Sequence, residues 1–316
     1  MRSTRAFARY AWGVLAYNVM VVLWGGYVRA TGSGAGCGGH WPACNGEVIP
    51  TAPSTQTIIE YSHRVTSGVA LLLVAGLLIW ALRLFPKGHK ARRAAIFAAV
   101  FLAVEAALGA GLVLFHFTGQ NISLVRALYL AVHLSNTLLL LGALTSTAWL
   151  ATRRWTRGGA PAVLLISLPI VILVSATGAV AALGDTLFPS TSLQQGLRLD
   201  VTGTAHVLVQ LRVLHPALAI VAGLFLIGAA TSAIRWKASA RAAGWTVAGL
   251  TVLQMVAGAV NVALLAPLWM QMLHLLLADV LWIALVVTAL ETLNAEDLAL
   301  RSSIPAGSLP GLASRT

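Results

Sequence analysis

Eight stretches of about 20 apolar residues recur along this chain, and each is long enough to cross a membrane as a helix. Apolar residues make up 58% of the sequence and charged residues only 9%, which excludes a soluble globule with a polar shell. One cleavable signal peptide does not explain the pattern, because the stretches recur along almost the whole length. The sequence therefore predicts an all-α, multi-pass membrane protein. Its predicted helices are 11–30, 57–82, 94–116, 126–151, 161–182, 205–230, 242–265 and 269–292.

The distribution of basic residues predicts how these helices are oriented. The net charge is +12, and 16 of the 21 lysines and arginines fall in the termini and in the connections on one side. Cytoplasmic loops carry an excess of lysine and arginine, so both termini are predicted to be cytoplasmic. The basicity is thereby explained without a nucleic-acid partner. The predicted location is the cell (plasma) membrane, with membrane lipid as the surroundings.

Four histidines, His63, His133, His215 and His274, lie near the start of the second, fourth, sixth and eighth predicted helices. Imidazole is costly in hydrocarbon without a partner, so intramembrane histidines favour a functional interpretation. Two pairs at similar depth are what two bis-histidine heme irons require. A hydrogen bond to a neighbouring helix is the alternative for any single histidine. Two matched pairs favour iron ligation, and the sequence predicts an integral membrane heme protein.

The positions of these histidines indicate an internal repeat of four helices. Residues 132–134 (Val-His-Leu) resemble residues 273–275 (Leu-His-Leu), and residues 105–110 resemble residues 254–259. Each half has an even number of spans, so the prediction is two parallel-repeat four-helix bundles. Both heme sites would then lie toward the exterior face. The predicted units are a half with the first heme site (1–155), a half with the second (156–295) and a disordered cytoplasmic tail (296–316).

Two cysteines, Cys37 and Cys44, both fall in the first predicted exterior loop. Disulfides persist in the exterior compartment, and the glycines and proline between the cysteines allow the loop to turn back on itself. The sequence therefore predicts a disulfide. Unpaired thiols are the alternative, and a metal site that also uses His40 is less favoured, because a closed structural site takes four ligands.

Charged residues distinguish the two halves. Glu60 lies three residues before His63, so both project from one face of the helix. A carboxylate favoured by the helix dipole is one interpretation, and a proton-handling or charge-stabilising group beside the first heme is the other. Arg212 occupies the corresponding place in the second half, which indicates chemistry in the first half only. Arg64, Arg126 and Arg212 are candidates to bind heme propionates, with interfacial snorkelling as the alternative.

Five further polar residues receive no role from the sequence. His40 lies in the cysteine loop, and His116 and His206 lie at exterior helix ends, where an imidazole costs little. Glu105 and Asp279 lie deep in apolar helices and must have a partner or be neutral. The sequence does not identify those partners.

Taken together, these motifs resemble those of the heme A synthase family, membrane enzymes that convert heme O to heme A for terminal oxidases. The resemblance covers nearly the whole chain, across all eight predicted helices. Its motifs are residues 26–34, the loop from Cys37 to Cys44, residues 60–64, 133–134, 214–216, 261–267 and 274–279. It implies oxidation of one methyl group of heme O, through a hydroxymethyl stage, to the formyl group of heme A.

The resemblance also implies which residues hold each heme. His63 and His133 would flank the substrate heme O, and its product heme A, in the first half. His215 and His274 would hold heme b in the second half, so iron would be bound by all four histidines.

Glu60, Cys37 and Cys44 also match positions of the family. Glu60 matches the acidic residue beside the substrate site, which implies a catalytic role, and the cysteines match the pair in the first exterior loop. Some members carry cysteines near 184–204 as well, and this chain has none there. Its second site is therefore expected to lack a disulfide-braced loop.

The expected partners are heme O, a heme O synthase that hands it over, and an electron donor such as quinol. The main alternative is a di-heme b-type membrane cytochrome that transfers electrons from quinol. It would use the same four histidines but gives no reason for an acid in one half only. A transporter is less favoured, because its site would lie at broken helices near the midplane.

Overall fold

The computed structural model describes residues 2–295, and the predicted tail at 296–316 lies outside the described residues. Within 2–295 the chain forms helices joined by loops and three short 3₁₀ turns. The helices are α1 (Arg2–Ala30), α2 (Thr55–Leu84), α3 (Lys90–Leu114), α4 (Leu124–Leu150), α5 (Ala162–Leu187), α6 (Leu193–Val201), α7 (Val207–Gln210), α8 (Leu214–Trp236), α9 (Arg241–Ala263) and α10 (Leu268–Leu293).

Eight segments are long and apolar enough to cross a membrane, which agrees with the eight predicted helices. They are α1 to α5, the segment Val207–Trp236 that contains α7 and α8, α9 with the turn before it, and α10. Helix α1 begins at Arg2, well before the predicted start at residue 11, because a helix continues through polar turns beyond the apolar stretch. Helix α6 was not predicted, since it is short and has no apolar run.

The sixth predicted helix, 205–230, is confirmed as one helical span, Val207–Trp236. A 3₁₀ turn at Leu211–Val213 lies within it between α7 and α8, and the residues on either side of that turn, Gln210 and Leu214, keep right-handed helical backbone angles. Pro216 is the third residue of α8 and has no amide hydrogen to donate to the preceding turn. His215 lies in the first turn of α8.

Four helices form the centre of the molecule. Each of α1, α4, α5 and α10 contacts the other three, while α2 and α3 pack on one side and α8 and α9 on the other. Their shared core holds Phe7 and Val14 of α1, Leu141 of α4 and Leu285 of α10, all of which are buried. The central helices are the first and last spans of each predicted half, so the halves meet along these four.

Arg29, at the end of α1, connects three of the four central helices by hydrogen bonds. It lies at the end of the bundle where the odd-numbered spans finish. Its Nη1 donates to the Ala182 carbonyl at 2.7 Å and to Thr186 Oγ1 at 2.8 Å, both on α5. Its Nη2 donates to Gln271 Oε1 on α10 at 2.8 Å. One side chain from the first predicted half therefore bonds to two helices of the second.

Candidate functional site

The four candidate histidines lie at one level of the bundle. His63, His133, His215 and His274 follow the first residue of their spans by eight, nine, eight and six residues. At about 1.5 Å rise per residue, these depths agree to within about 5 Å. All four spans run in the same direction, so the imidazoles lie near the end that carries the α1–α2 loop and the α5–α7 loop.

His215 and His274 lie at the separation that two histidines holding one heme iron would have. Their ring centroids are 6.4 Å apart and their planes are inclined by 82°. Imidazole nitrogen binds a metal at about 2.0–2.1 Å, and its ring centre lies about 1 Å further away, so two ligands of one ion have centroids about 6–6.5 Å apart. The residues therefore fit a bis-histidine heme iron.

The hydrogen bonds of His215 favour the tautomer that a metal requires. Its Nδ1 lies 3.1 Å from the Val174 carbonyl and 3.2 Å from Thr177 Oγ1, both on α5. The carbonyl accepts a hydrogen bond from Nδ1–H. The proton therefore stays on Nδ1, and the Nε2 lone pair is available to iron. In the described part of the chain, His63 Nδ1 and His274 Nδ1 are buried without a hydrogen-bond partner.

Each candidate histidine packs against a glycine on the span that precedes its own. A Cβ at three of these glycines would lie 2.9 to 3.1 Å from the imidazole Cε1, so the ring would have to move, and in the fourth pair it would lie 3.9 Å from Nε2, which is ordinary van der Waals contact. Glycine lets two helices approach closely enough to place a ring between them. The pairs are Gly25–His63, Gly109–His133, Gly178–His215 and Gly258–His274.

Gly178→Ala is expected to destabilise the protein, because its new methyl group would displace the His215 ring. Overpacking of this kind costs about 1–3 kcal/mol, which an unfolding titration in mixed detergent micelles would measure. Gly228→Ala on α8 is the matched control, since among the described residues no atom lies within 4 Å of that Cβ. The control should be neutral or gain about 0.5–1 kcal/mol of helix stability. Equal unfolding free energies would contradict the steric reason.

Glu105 of α3 is the partner of His133, and the sequence did not reveal this role. Glu105 Oε1 lies 3.0 Å from His133 Nδ1. The Thr137 hydroxyl donates to the same oxygen, and Asn136 Nδ2 donates to Oε2 at 2.6 Å. The match between residues 105–110 and 254–259 placed Glu105 at a repeated position of the third helix but did not identify its partner.

Glu60 joins α2 to the disulfide loop, residues 31–54. Cys37 and Cys44 form the predicted disulfide. Glu60 is 4% exposed, and its Oε2 accepts a hydrogen bond from the Cys37 amide at 2.8 Å. Its Oε1 pairs with Arg64 Nη2 at 2.6 Å, and Arg64 Nη1 donates to loop carbonyls, among them that of Ala43 at 2.7 Å. The carboxylate predicted to be catalytic therefore also holds the loop.

Ion pairs hold the second loop, residues 188–206, which contains no cysteine. Arg212 is 8% exposed, and its Nη2 lies 2.7 Å from Asp200 Oδ1 at the end of α6. Its Nη1 lies 3.2 Å from Asp185 Oδ1 and donates to the Phe188 carbonyl. One arginine thus binds a carboxylate within the loop and another at the end of α5.

Arg212→Ala is expected to destabilise the protein by about 3 kcal/mol, because it leaves two partly buried carboxylates without their shared cation. The second loop should also become sensitive to proteases. Limited proteolysis of the protein in nanodiscs would show whether cleavage increases within residues 188–206. Arg198→Ala is the control, since Arg198 is an exposed residue of α6 with the same charge. Identical cleavage of the two variants would show that the ion pairs do not hold the loop.

The arginines predicted to bind propionates already have protein partners. Arg64 and Arg212 have the partners described above, and Arg126 Nη1 donates to the Gly119 and Asn121 carbonyls at 2.8 and 2.7 Å. Arg126 Nε is buried and has no partner in the part of the chain that the structure describes. Propionate binding by these residues stays a prediction.

Three polar residues remain outside these networks. His206 caps α7, where its Nδ1 accepts from the Leu208 amide. His40 is exposed in the disulfide loop. Asp279 is 0% exposed, and neither carboxyl oxygen has a hydrogen-bond partner within residues 2–295. Of the two alternatives that the sequence left open for Asp279, a partner or a neutral carboxyl group, the described residues favour the neutral carboxyl group.

Comparison with known proteins establishes the family. Residues 8–286 match the COX15-CtaA family, described as cytochrome oxidase assembly protein. The chain belongs to this family. Together with the eight apolar spans, this makes it a multi-pass membrane protein, and it confirms the resemblance drawn from the motifs.

Curated relatives carry two different names. A protein of Thermus thermophilus named protoheme IX farnesyltransferase is 48% identical over 299 residues, which are 91% of this chain and 48% of that protein. Heme A synthase of Exiguobacterium sibiricum is 42% identical over 116 residues, 37% of this chain and 38% of the relative. Heme A synthase of Halalkalibacterium halodurans is 47% identical over 97 residues, 31% and 33% of the two chains. The chain thus spans about half the length of the Thermus relative.

Proposed function

We propose that this chain is a heme A synthase, which oxidises a methyl group of heme O, through a hydroxymethyl stage, to the formyl group of heme A. The observation that carries the proposal is the close pair of His215 and His274, with ring centroids 6.4 Å apart, at the level of His63 and His133. His215 and His274 would hold heme b, and His63 and His133 would flank the substrate. The relatives named heme A synthase support this choice among heme proteins.

We extend the proposal to the arrangement of the chain. Residues 1–155 and 156–295 would form two parallel four-helix halves, with cytoplasmic termini and with both heme sites toward the exterior face. The glycine–histidine pairs support the repeat, because they recur on corresponding helices of both halves. The excess of basic residues in the other set of connections supports the orientation.

The residues around the first site suit an oxidation that releases protons. Conversion of a methyl to a formyl group removes electrons and protons and adds one oxygen atom, so the site needs an electron path and a water path. Heme b would supply one-electron transfer when bound. Glu60 would accept a proton or stabilise positive charge on the substrate. Arg64 holds Glu60 in place, and the disulfide loop covers this side of α2.

The Thermus relative suggests where the substrate comes from. More than half of that protein lies outside the stretch shared with this chain, and its name is that of a protoheme IX farnesyltransferase. We assign the farnesyl transfer to the part that is not shared, and we propose that a heme O synthase delivers heme O directly to this chain. An electron donor such as quinol remains part of the prediction.

The decisive experiment is mass spectrometry of hemes extracted from the purified protein, expressed in a host that makes heme O but not heme A. The same host without the protein is the control. Heme A or its hydroxymethyl precursor, together with heme b, is the expected result. Heme b alone, with heme O present in the membranes, would replace the proposal by the di-heme b-type cytochrome.

A further inference from the structure

The two predicted heme sites differ in what surrounds the last histidine of each half. The matching residues 105–110 and 254–259 put Glu105 in the place of Gln254, and residues 132–134 and 273–275 put His133 in the place of His274. The same register pairs Asn136 with Leu277 and Thr137 with Ala278. A carboxylate and two side-chain donors in the first half are thus replaced together by an amide and two apolar residues.

In the first half these residues form one hydrogen-bonded unit. His133 Nδ1 lies 3.0 Å from Glu105 Oε1, so the ring donates to a carboxylate. Asn136 Nδ2 donates both to Glu105 Oε2 and to the Phe101 carbonyl, and the Thr137 hydroxyl donates to Oε1. The carboxylate therefore accepts from three donors. Those of Asn136 and Thr137 hold it in place, and the third is the imidazole of His133.

In the second half the corresponding contacts are neutral. Gln254 Nε2 lies 3.3 Å from His274 Nε2 and donates to the His274 carbonyl at 3.2 Å. His215 contacts the Val174 carbonyl and the Thr177 hydroxyl. Among the four candidate ligands, all of them described residues, His133 is the histidine whose ring contacts an acidic side chain.

We propose that Glu105 is a positioning residue that makes His133 a stronger electron donor to iron than any histidine of the second half. A carboxylate that accepts the imidazole N–H raises the basicity of the ligand. A more basic axial ligand favours ferric over ferrous iron and lowers the reduction potential of the heme. The first-half heme therefore has a lower potential than the second-half heme.

The difference in potential sets the direction of electron transfer between the two sites during the proposed reaction. This inference rests on the proposed function. Electrons move spontaneously from a site of lower potential to one of higher potential. Electrons withdrawn at the first half would therefore move one at a time toward the heme that His215 and His274 would hold, and a membrane oxidant such as a quinone would have to take them up from there.

The test is a potentiometric titration of the full chain in nanodiscs, loaded with ferric protoheme and followed by absorbance and by low-spin electron paramagnetic resonance. Glu105→Gln should keep a bis-histidine spectrum. The first-half site should lose at least tenfold of its preference for binding ferric over ferrous heme. For a one-electron couple, a tenfold change corresponds to a rise of about 59 mV in the reduction potential of that heme. The low-spin resonance signal that is lost in His63→Ala is assigned to the first-half heme.

Glu291→Gln is the control, because it removes a carboxylate that pairs with Arg153 at the opposite end of α10 and should change neither potential. An unchanged potential of the first-half heme in Glu105→Gln, with both hemes bound, would overturn the inference and leave the proposed function intact. A wild-type protein that binds no heme through His63 and His133 would overturn both.

Discussion

Glu60→Gln is expected to leave both hemes bound and to lower the yield of heme A by about 10²–10⁴-fold, the contribution typical of a positioned proton acceptor. Glutamine keeps a carbonyl oxygen that can accept from the Cys37 amide, so the disulfide loop should stay in place. It removes the negative charge and the basic site three residues before His63 on α2. Mass spectrometry of heme A and its hydroxymethyl precursor, normalised to heme b, is the measurement.

Glu47→Gln is the control for this prediction. Glu47 is an exposed carboxylate of the same loop, where it accepts hydrogen bonds from Thr51. The control should retain the wild-type yield. A wild-type yield from Glu60→Gln would remove Glu60 from the chemistry, whereas loss of the first-half heme in that variant would show that Glu60 chiefly holds the loop against α2.

His274→Gly is expected to abolish heme binding in the second half. The variant loses one of two facing ligands, and the pair with His215 is the geometry that fits iron. Heme bound per chain should fall by about one equivalent, with loss of one bis-histidine signal. Heme content by absorbance and low-spin electron paramagnetic resonance measure both.

Imidazole added to His274→Gly should restore the low-spin signal, because a free ligand can enter the space that the side chain leaves. His40→Ala is the control, since His40 is exposed in the disulfide loop and makes no contact with the four candidate ligands in the described structure. A full heme complement in His274→Gly would exclude this histidine as a ligand.

The sixth span shows what composition alone does not predict. Residues 205–230 are apolar almost throughout, so composition predicts one helical span, and the structure has one at Val207–Trp236. Composition does not predict the 3₁₀ turn within that span, which contains Arg212. Arg212 reaches Asp185 and Asp200 from there. Those carboxylates are 27 and 12 residues away in the sequence, and no local pattern connects them.

Glu105 marks the same limit within the site. The sequence identified a carboxylate deep in an apolar helix that needed a partner, but the partner depends on how α3 turns against α4. Thr137 and Asn136 read as ordinary polar residues of a membrane helix until packing brings both to one carboxylate. The glycine that packs against each histidine also could not be identified from the sequence, because that contact depends on how the two helices pack.

Composition and spacing alone were sufficient for the eight spans, the common level of the four histidines and the disulfide between Cys37 and Cys44. Each of these follows from a local rule, because apolar length predicts a membrane helix, residue number sets depth along it, and a short loop brings two cysteines together. The facing of His215 and His274, the carboxylate on His133 and the ion pairs of Arg212 come from folding. They depend on the rotation of packed helices, which one-dimensional patterns do not encode.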